Sequence, residues 1–108
     1  MREVYLDERI RDYIVALVTA TRRPREIGLP DLAHFISFGA SPRATLSFSE
    51  AARATAFLRG RGYVVPEDVK EIAKDVLRHR ILLTFEAEAE NVTAETVVDR
   101  ILEKVEVP

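Results

Sequence analysis

The chain contains no cysteine. Disulfides, thiol catalysis and cysteine-bound zinc are thereby excluded, and the composition suits a cytoplasmic protein. Long apolar runs are also missing: nothing approaches the roughly 20 residues that span a bilayer. The opening "MREVYLDERIRDY" lacks the apolar stretch of a signal peptide, so no membrane partner is expected. Neither sign of charge is in surplus. Sixteen Lys and Arg stand against 18 Asp and Glu, a formal net charge of −2. General nucleic-acid binding needs a basic surplus or a basic face, and no such partner is expected. The phosphate-cradling pattern G-x-x-x-x-G-K-[ST] does not occur. His34 and His79 lie far apart, whereas a metal site needs three or more such ligands, so no metal is expected. Ser41, Ser47 and Ser49 have no histidine close in sequence, and Glu86, Glu88 and Glu90 read as a solvated face.

What remains is a chain of 108 residues, 47% hydrophobic and 31% charged, which suits one small folded domain with a core of its own. Helical periodicity marks four segments. Leu6, Ile10, Tyr13, Ile14, Leu17 and Val18 share one stripe behind a cap at Asp7, ending before Pro24. Residues 24–40 read as irregular, with one helical turn after Pro30. A second helix is expected from Ser41 as cap and Pro42 as first helical residue to about Arg59, stopping at Gly60. Its apolar residues reach round it (Ala44, Leu46, Phe48, Ala52, Phe57 and Leu58 among them), so it is expected to be the most buried. A third starts at Pro66, with Val64 and Val69 placed as a hydrophobic staple and "RHR" at residues 78–80 beside its end. A fourth follows a cap at Thr93, with Val97, Val98, Ile101 and Leu102 inward. Residues 81–90 read as extended or irregular. The tail "EKVEVP" alternates like a short strand that could pair with residues 81–86. The expected fold is mainly α, a four-helix bundle with room for a small two-stranded β pairing.

Arg53, Arg59, Arg61, Arg78 and Arg80 read as surface or ion-pair groups. Arg43 differs because it lies in the first turn of a helix, where the backbone N–H groups already make the site electropositive. Two readings stand on the residues alone. Arg43 is either a tolerated surface residue, costing a few tenths of a kcal/mol up to about 1, or one half of an anion site whose other half is the helix start.

The stretch "FGASPRATLSFSEAARATAFLRGRGYVVPEDVKEIAKDVLRHRI" closely resembles the C-terminal lid subdomain of MoxR-type AAA+ ATPases. The correspondence runs through Gly39 to Arg43, then Gly60 to Val69, then Leu77 to Arg80. "DYIVALVTATRRP" and "TFEAEAENVTAETVVDRIL" also look like that lid, so nearly the whole chain is covered. The resemblance implies that Arg43 is the sensor-2 arginine reporting on the terminal phosphate of ATP, with Ser41 and Pro42 setting the helix start and Gly39 allowing a tight turn. It implies ATP and Mg held mainly by a core whose P-loop, acidic metal-holding motif, first sensor and arginine finger do not occur here. Residues 1–108 are therefore expected to be an excised single lid, inactive alone, from a parent that hydrolyses ATP. The implied partners are that core, neighbouring subunits of a ring, expected to be a hexamer, and von Willebrand factor A domain proteins. The implied activity is chaperone-like remodelling. The alternative is a small helical DNA-binding or dimerisation module using "LRGRG" and "RHR", and a third reading is a purely structural interaction domain.

Overall fold

The computed structural model describes residues 4–108; the domain boundary expected at residue 1 lies outside the described residues. Helix α1 spans Glu8–Arg22. It starts where expected, because the Asp7 carboxylate accepts from the Arg9 backbone N–H at 2.9 Å and satisfies a donor that the first turn leaves free. Its buried face is Ile10, Tyr13, Ile14, Leu17 and Val18, joined by Ala20 and Thr21. Burial and the nearby charge of Glu67 together push the Tyr13 phenol above its ordinary pKa. Two 3-10 turns follow, Pro24–Ile27 and Pro30–His34, the second being the turn expected after Pro30.

Strand β1 is Ile36–Phe38, helix α2 Ala44–Leu58 and helix α3 Pro66–Leu77. Strand β2 is Leu82–Leu83, followed by the short helix α4, Phe85–Ala89, and helix α5, Ala94–Lys104. The long helices α1, α2, α3 and α5 form the expected bundle. Helix α2 lies against α1 and α3, and α3 also packs on α5. Ile14, Leu17, Phe48, Val69, Leu77, Val97 and Ile101 from these helices are fully buried in one core, each stabilising the fold by about 1.5–3 kcal/mol. Buried Ala52 and Ala56 on α2 give its neighbours room for close approach.

The turn between α2 and α3 is fixed by charge as well as by packing. Gly60 stops α2 in the left-handed conformation, φ 77°, which only glycine adopts without strain. The Asp68 side chain, fully buried, accepts from the Val65 backbone N–H at 3.0 Å and from the Arg61 guanidinium. Arg59 binds Glu71 one turn further along α3. Val64 and Val69 are both buried, as a staple across the start of α3 requires.

Five expectations are corrected. The sheet exists, but β2 pairs antiparallel with β1, Ile36 opposite Leu83 and Phe38 opposite Leu82. The tail makes no strand, because α5 continues through Glu103 and Lys104 before the backbone extends. Residues 81–90 are extended only at β2; beyond it the Thr84 hydroxyl accepts from the Ala87 N–H at 3.2 Å and starts α4. Helix α2 is not the most buried, since Leu46 and Leu58 are 70% and 83% exposed and α1 buries the longer face. The regular part of α2 also begins at Ala44 rather than Pro42.

Candidate functional site

The residues before α2 form a corner held against the end of α1. Thr21, fully buried, donates its hydroxyl to the Val18 carbonyl at 2.6 Å and accepts from the Ala40 N–H at 2.9 Å. A Cβ on Gly39 would lie 2.3 Å from the Thr21 carbonyl oxygen and 2.8 Å from the Arg22 nitrogen. This corrects the reading of Gly39 as a turn glycine. Its φ is not positive, and what requires glycine is the contact of its backbone with α1.

From that corner the chain enters α2 through a tight turn. Ser41 Oγ accepts from the Arg43 N–H at 3.2 Å, which braces the turn before the helix; the cap position itself is Arg43 and not Ser41 as expected, and no side chain caps it. The Ser41, Pro42 and Arg43 carbonyls then accept from the N–H groups of Ala44, Thr45 and Leu46 at 2.8, 3.1 and 3.1 Å. These three-residue steps explain why the regular helix starts at Ala44. Arg43 already has helical backbone angles, φ −63° and ψ −21°, and its side chain projects from the first tight turn.

A concavity of about 590 Å³ opens at this point. Gly39, Ser41, Arg43 and Ser47 line it from the α2 side, Phe38 and Leu82 from the sheet, and His79 and Arg80 from beyond the end of α3. No carboxylate lines it among the described residues. Arg43 makes no ion pair or side-chain hydrogen bond with any of them, its backbone N–H alone being engaged by Ser41. Phe38 and Leu82, paired across the strands, are 68% and 60% exposed, so the cationic hollow has an apolar flank.

Several other arginines are engaged by carboxylates. Arg59 meets Glu71, Arg61 meets Asp68, and Arg78 meets Asp75 at 2.8 Å and Glu95 at 3.2 Å. Arg100 donates to Asp31 at 2.6 Å, and that hydrogen bond, with the positive charge behind it, holds the Asp31 carboxyl below its ordinary pKa. The "LRGRG" and "RHR" arginines that a DNA-binding module would use are thus largely occupied by carboxylates. Glu86, Glu88 and Glu90 are exposed. Among the described residues no group of three or more His, Cys, Asp or Glu could hold a metal, and no helix is long and apolar enough to cross a membrane.

Of the residues singled out in the sequence, Gly39, Ser41 and Arg43 line the hollow and Pro42 does not. The sequence reading left out Arg80 and His79, which join Arg43 only because α3 ends beside the start of α2. His79 also shares the hollow with Ser41 and Ser47, although no hydrogen bond joins them.

The AAA lid domain family model matches residues 32–101. Chaperone MoxR1 of Mycobacterium tuberculosis is 48% identical over 97 residues, which cover 90% of this chain and 26% of that protein. Protein MoxR of Paracoccus denitrificans is 40% identical over 79 residues, covering 69% of this chain and 23% of that protein. A crystal structure of a provisionally assigned ATPase from Cytophaga hutchinsonii matches with TM-score 0.95 and 45% identity, over 98% of this chain and 32% of that one. The chain spans about a quarter to a third of the length of these relatives.

Proposed function

Since this chain belongs to the AAA lid domain family, as a lid of the MoxR type, we propose that it closes over a nucleotide held by an ATPase core and presents Arg43 to the terminal phosphate. The observation that carries this reading is an arginine at a helix start that, among the described residues, has no side-chain partner and faces a hollow that no carboxylate lines. A guanidinium is a forked, permanently charged donor suited to phosphate oxygens, and the neighbouring hydroxyls of Ser41 and Ser47 can donate to the same oxygens. Ser41 and Pro42 act on Arg43 by fixing the turn from which it projects, and Gly39 by seating that turn on α1.

ATP fits these residues through its phosphates. A Mg ion would neutralise charge on the phosphate chain; among the described residues the hollow offers no acidic ligand for it, and in this reading the core would hold it. Arg43 binds and orients phosphate, and losing the terminal phosphate removes its partner and frees the lid to move. In the whole protein this would make ATP hydrolysis drive rearrangement of a ring, a hexamer in this reading, which remodels client proteins in the cytoplasm in a chaperone-like way. Proteins with von Willebrand factor A domains are the partners that reading implies.

The test is Arg43→Ala in the whole ATPase that carries this lid. Turnover should fall by at least about tenfold, the loss of one transition-state contact of about 1.4 kcal/mol, with folding and assembly intact. Unchanged nucleotide affinity and turnover would reduce Arg43 to a helix-start residue.

A further inference from the structure

We propose that Arg80, with His79 beside it, is a second cationic arm of this site, and that the two arms together take the phosphate chain of a nucleotide rather than a single phosphate. The inference rests on the reading of Arg43 as a phosphate ligand and adds residues from a different helix to it.

Arg80 is held in place before any ligand arrives. Its backbone N–H donates to the Leu77 carbonyl at 2.9 Å, and its Nη1 donates to the Val76 carbonyl at 2.8 Å. A guanidinium carries five N–H donors in a fixed fork, so this tether uses one and leaves the others for the hollow that Arg80 lines. Holding a long side chain in advance removes much of the ordering cost of binding. His79 lines the same hollow and has a ring N–H to donate whichever tautomer it adopts.

Charge points the same way. Arg59, Arg61, Arg78 and Arg100 each meet a carboxylate, whereas Arg43 and Arg80 share a volume that no carboxylate among the described residues lines; Arg11 and Arg53 also face a concavity without a carboxylate, but one not at the start of α2. Two like charges facing one volume repel, and a polyanion between them converts that repulsion into attraction. The hollow, about 590 Å³, falls within the ~300–1,000 Å³ typical of small-molecule sites, which is ample for a phosphate chain. The competing account makes Arg80 only a stopper for the carbonyls at the end of α3, and it predicts no role in anion binding.

The experiment is an NMR titration of this chain with inorganic tripolyphosphate, and in parallel with ATP and orthophosphate. The side-chain N–H signals of Arg43 and Arg80 and the ring signals of His79 should shift together and saturate. Arg80→Gln should weaken tripolyphosphate binding about three- to fivefold, the scale of one exposed charge pair, and Arg80→Lys should recover part of that loss. Shifts confined to Arg43, with Arg80→Gln lowering only the thermal midpoint, would overturn the second arm and leave the Arg43 reading standing. A response to tripolyphosphate but not ATP would overturn the nucleotide assignment. Orthophosphate binding as tightly as tripolyphosphate would overturn the phosphate-chain assignment. No response at either arginine would overturn the two-armed site, while the reading of Arg43 is decided separately by Arg43→Ala in the whole ATPase.

Discussion

Thr21 holds Ala40. The hydroxyl of a residue in the last turn of α1 accepts the backbone N–H of the residue that opens the corner into α2, at 2.9 Å and out of reach of solvent. Thr21→Val keeps the volume and removes the acceptor, leaving the Ala40 N–H buried and unpaired. We expect a loss of about 1–3 kcal/mol in urea unfolding. Thr21→Ser, which keeps the hydroxyl and gives up a methyl group, should lose less. Equal losses in the two variants would show that the methyl packing matters and the hydrogen bond does not.

Gly39→Ala should be far more damaging than Gly62→Ala. At position 39 the new methyl collides with the Thr21 carbonyl, which is backbone and cannot rotate away; at position 62 nothing lies within 4 Å. Overpacking costs typically 1–3 kcal/mol and sometimes more, so a loss of about 3 kcal/mol is expected at Gly39. Less than about 0.5 kcal/mol is expected at Gly62. Thermal unfolding of the two variants side by side decides it.

Asp68→Ala should rank among the most destabilising single changes. It removes the acceptor for the Val65 N–H and the partner of Arg61 together. Breaking a buried charge pair from one side costs about 3–5 kcal/mol, and the partial exposure of Arg61 places this case near the lower figure. A denaturation midpoint close to that of the parent chain would mean that the turn is held by Val64 and Val69 alone.

The Asp31–Arg100 pair predicts a feature of the acid limb. With Arg100 as hydrogen-bond donor and positive neighbour, the folded pKa of Asp31 lies below the ordinary value of 3.8. A depressed carboxylate contributes stability that is complete above the unfolded pKa and is lost as pH falls through the folded one. The carboxyl carbon of Asp31 should therefore titrate below 3.8 by NMR and return to the ordinary range in Arg100→Gln. An identical midpoint in both proteins would mean that the pair does not persist in solution.

Whatever depends on a few neighbouring residues was legible in the sequence. The caps at Asp7 and Thr93, the staple at Val64 and Val69, the stop at Gly60 and the order Ser41–Pro42–Arg43 are all settled within one or two turns of chain. What escaped was settled at long range. A three-residue strand such as Ile36–Phe38 carries too little pattern to announce that it pairs with Leu82–Leu83, and the alternating tail offered a false partner. Gly39 reads as a turn residue until the α1 backbone is seen lying against it. Arg80 reads as one more surface arginine until the α2–α3 packing brings it to the hollow that holds Arg43. The exposure of Leu46 and Leu58 was hidden too, because an apolar residue does not say which side of a helix its neighbours will cover.

Helix α2 is fastened at both ends: Gly39 and Ala40 lock its entrance to α1, and Arg59 and Arg61 lock its exit to α3. The backbone from which Arg43 projects is thus tied to its neighbours on either side, to α1 before it and to α3 after it. If the guanidinium does meet a phosphate, a pull on it would be passed through those ties to the bundle as a whole.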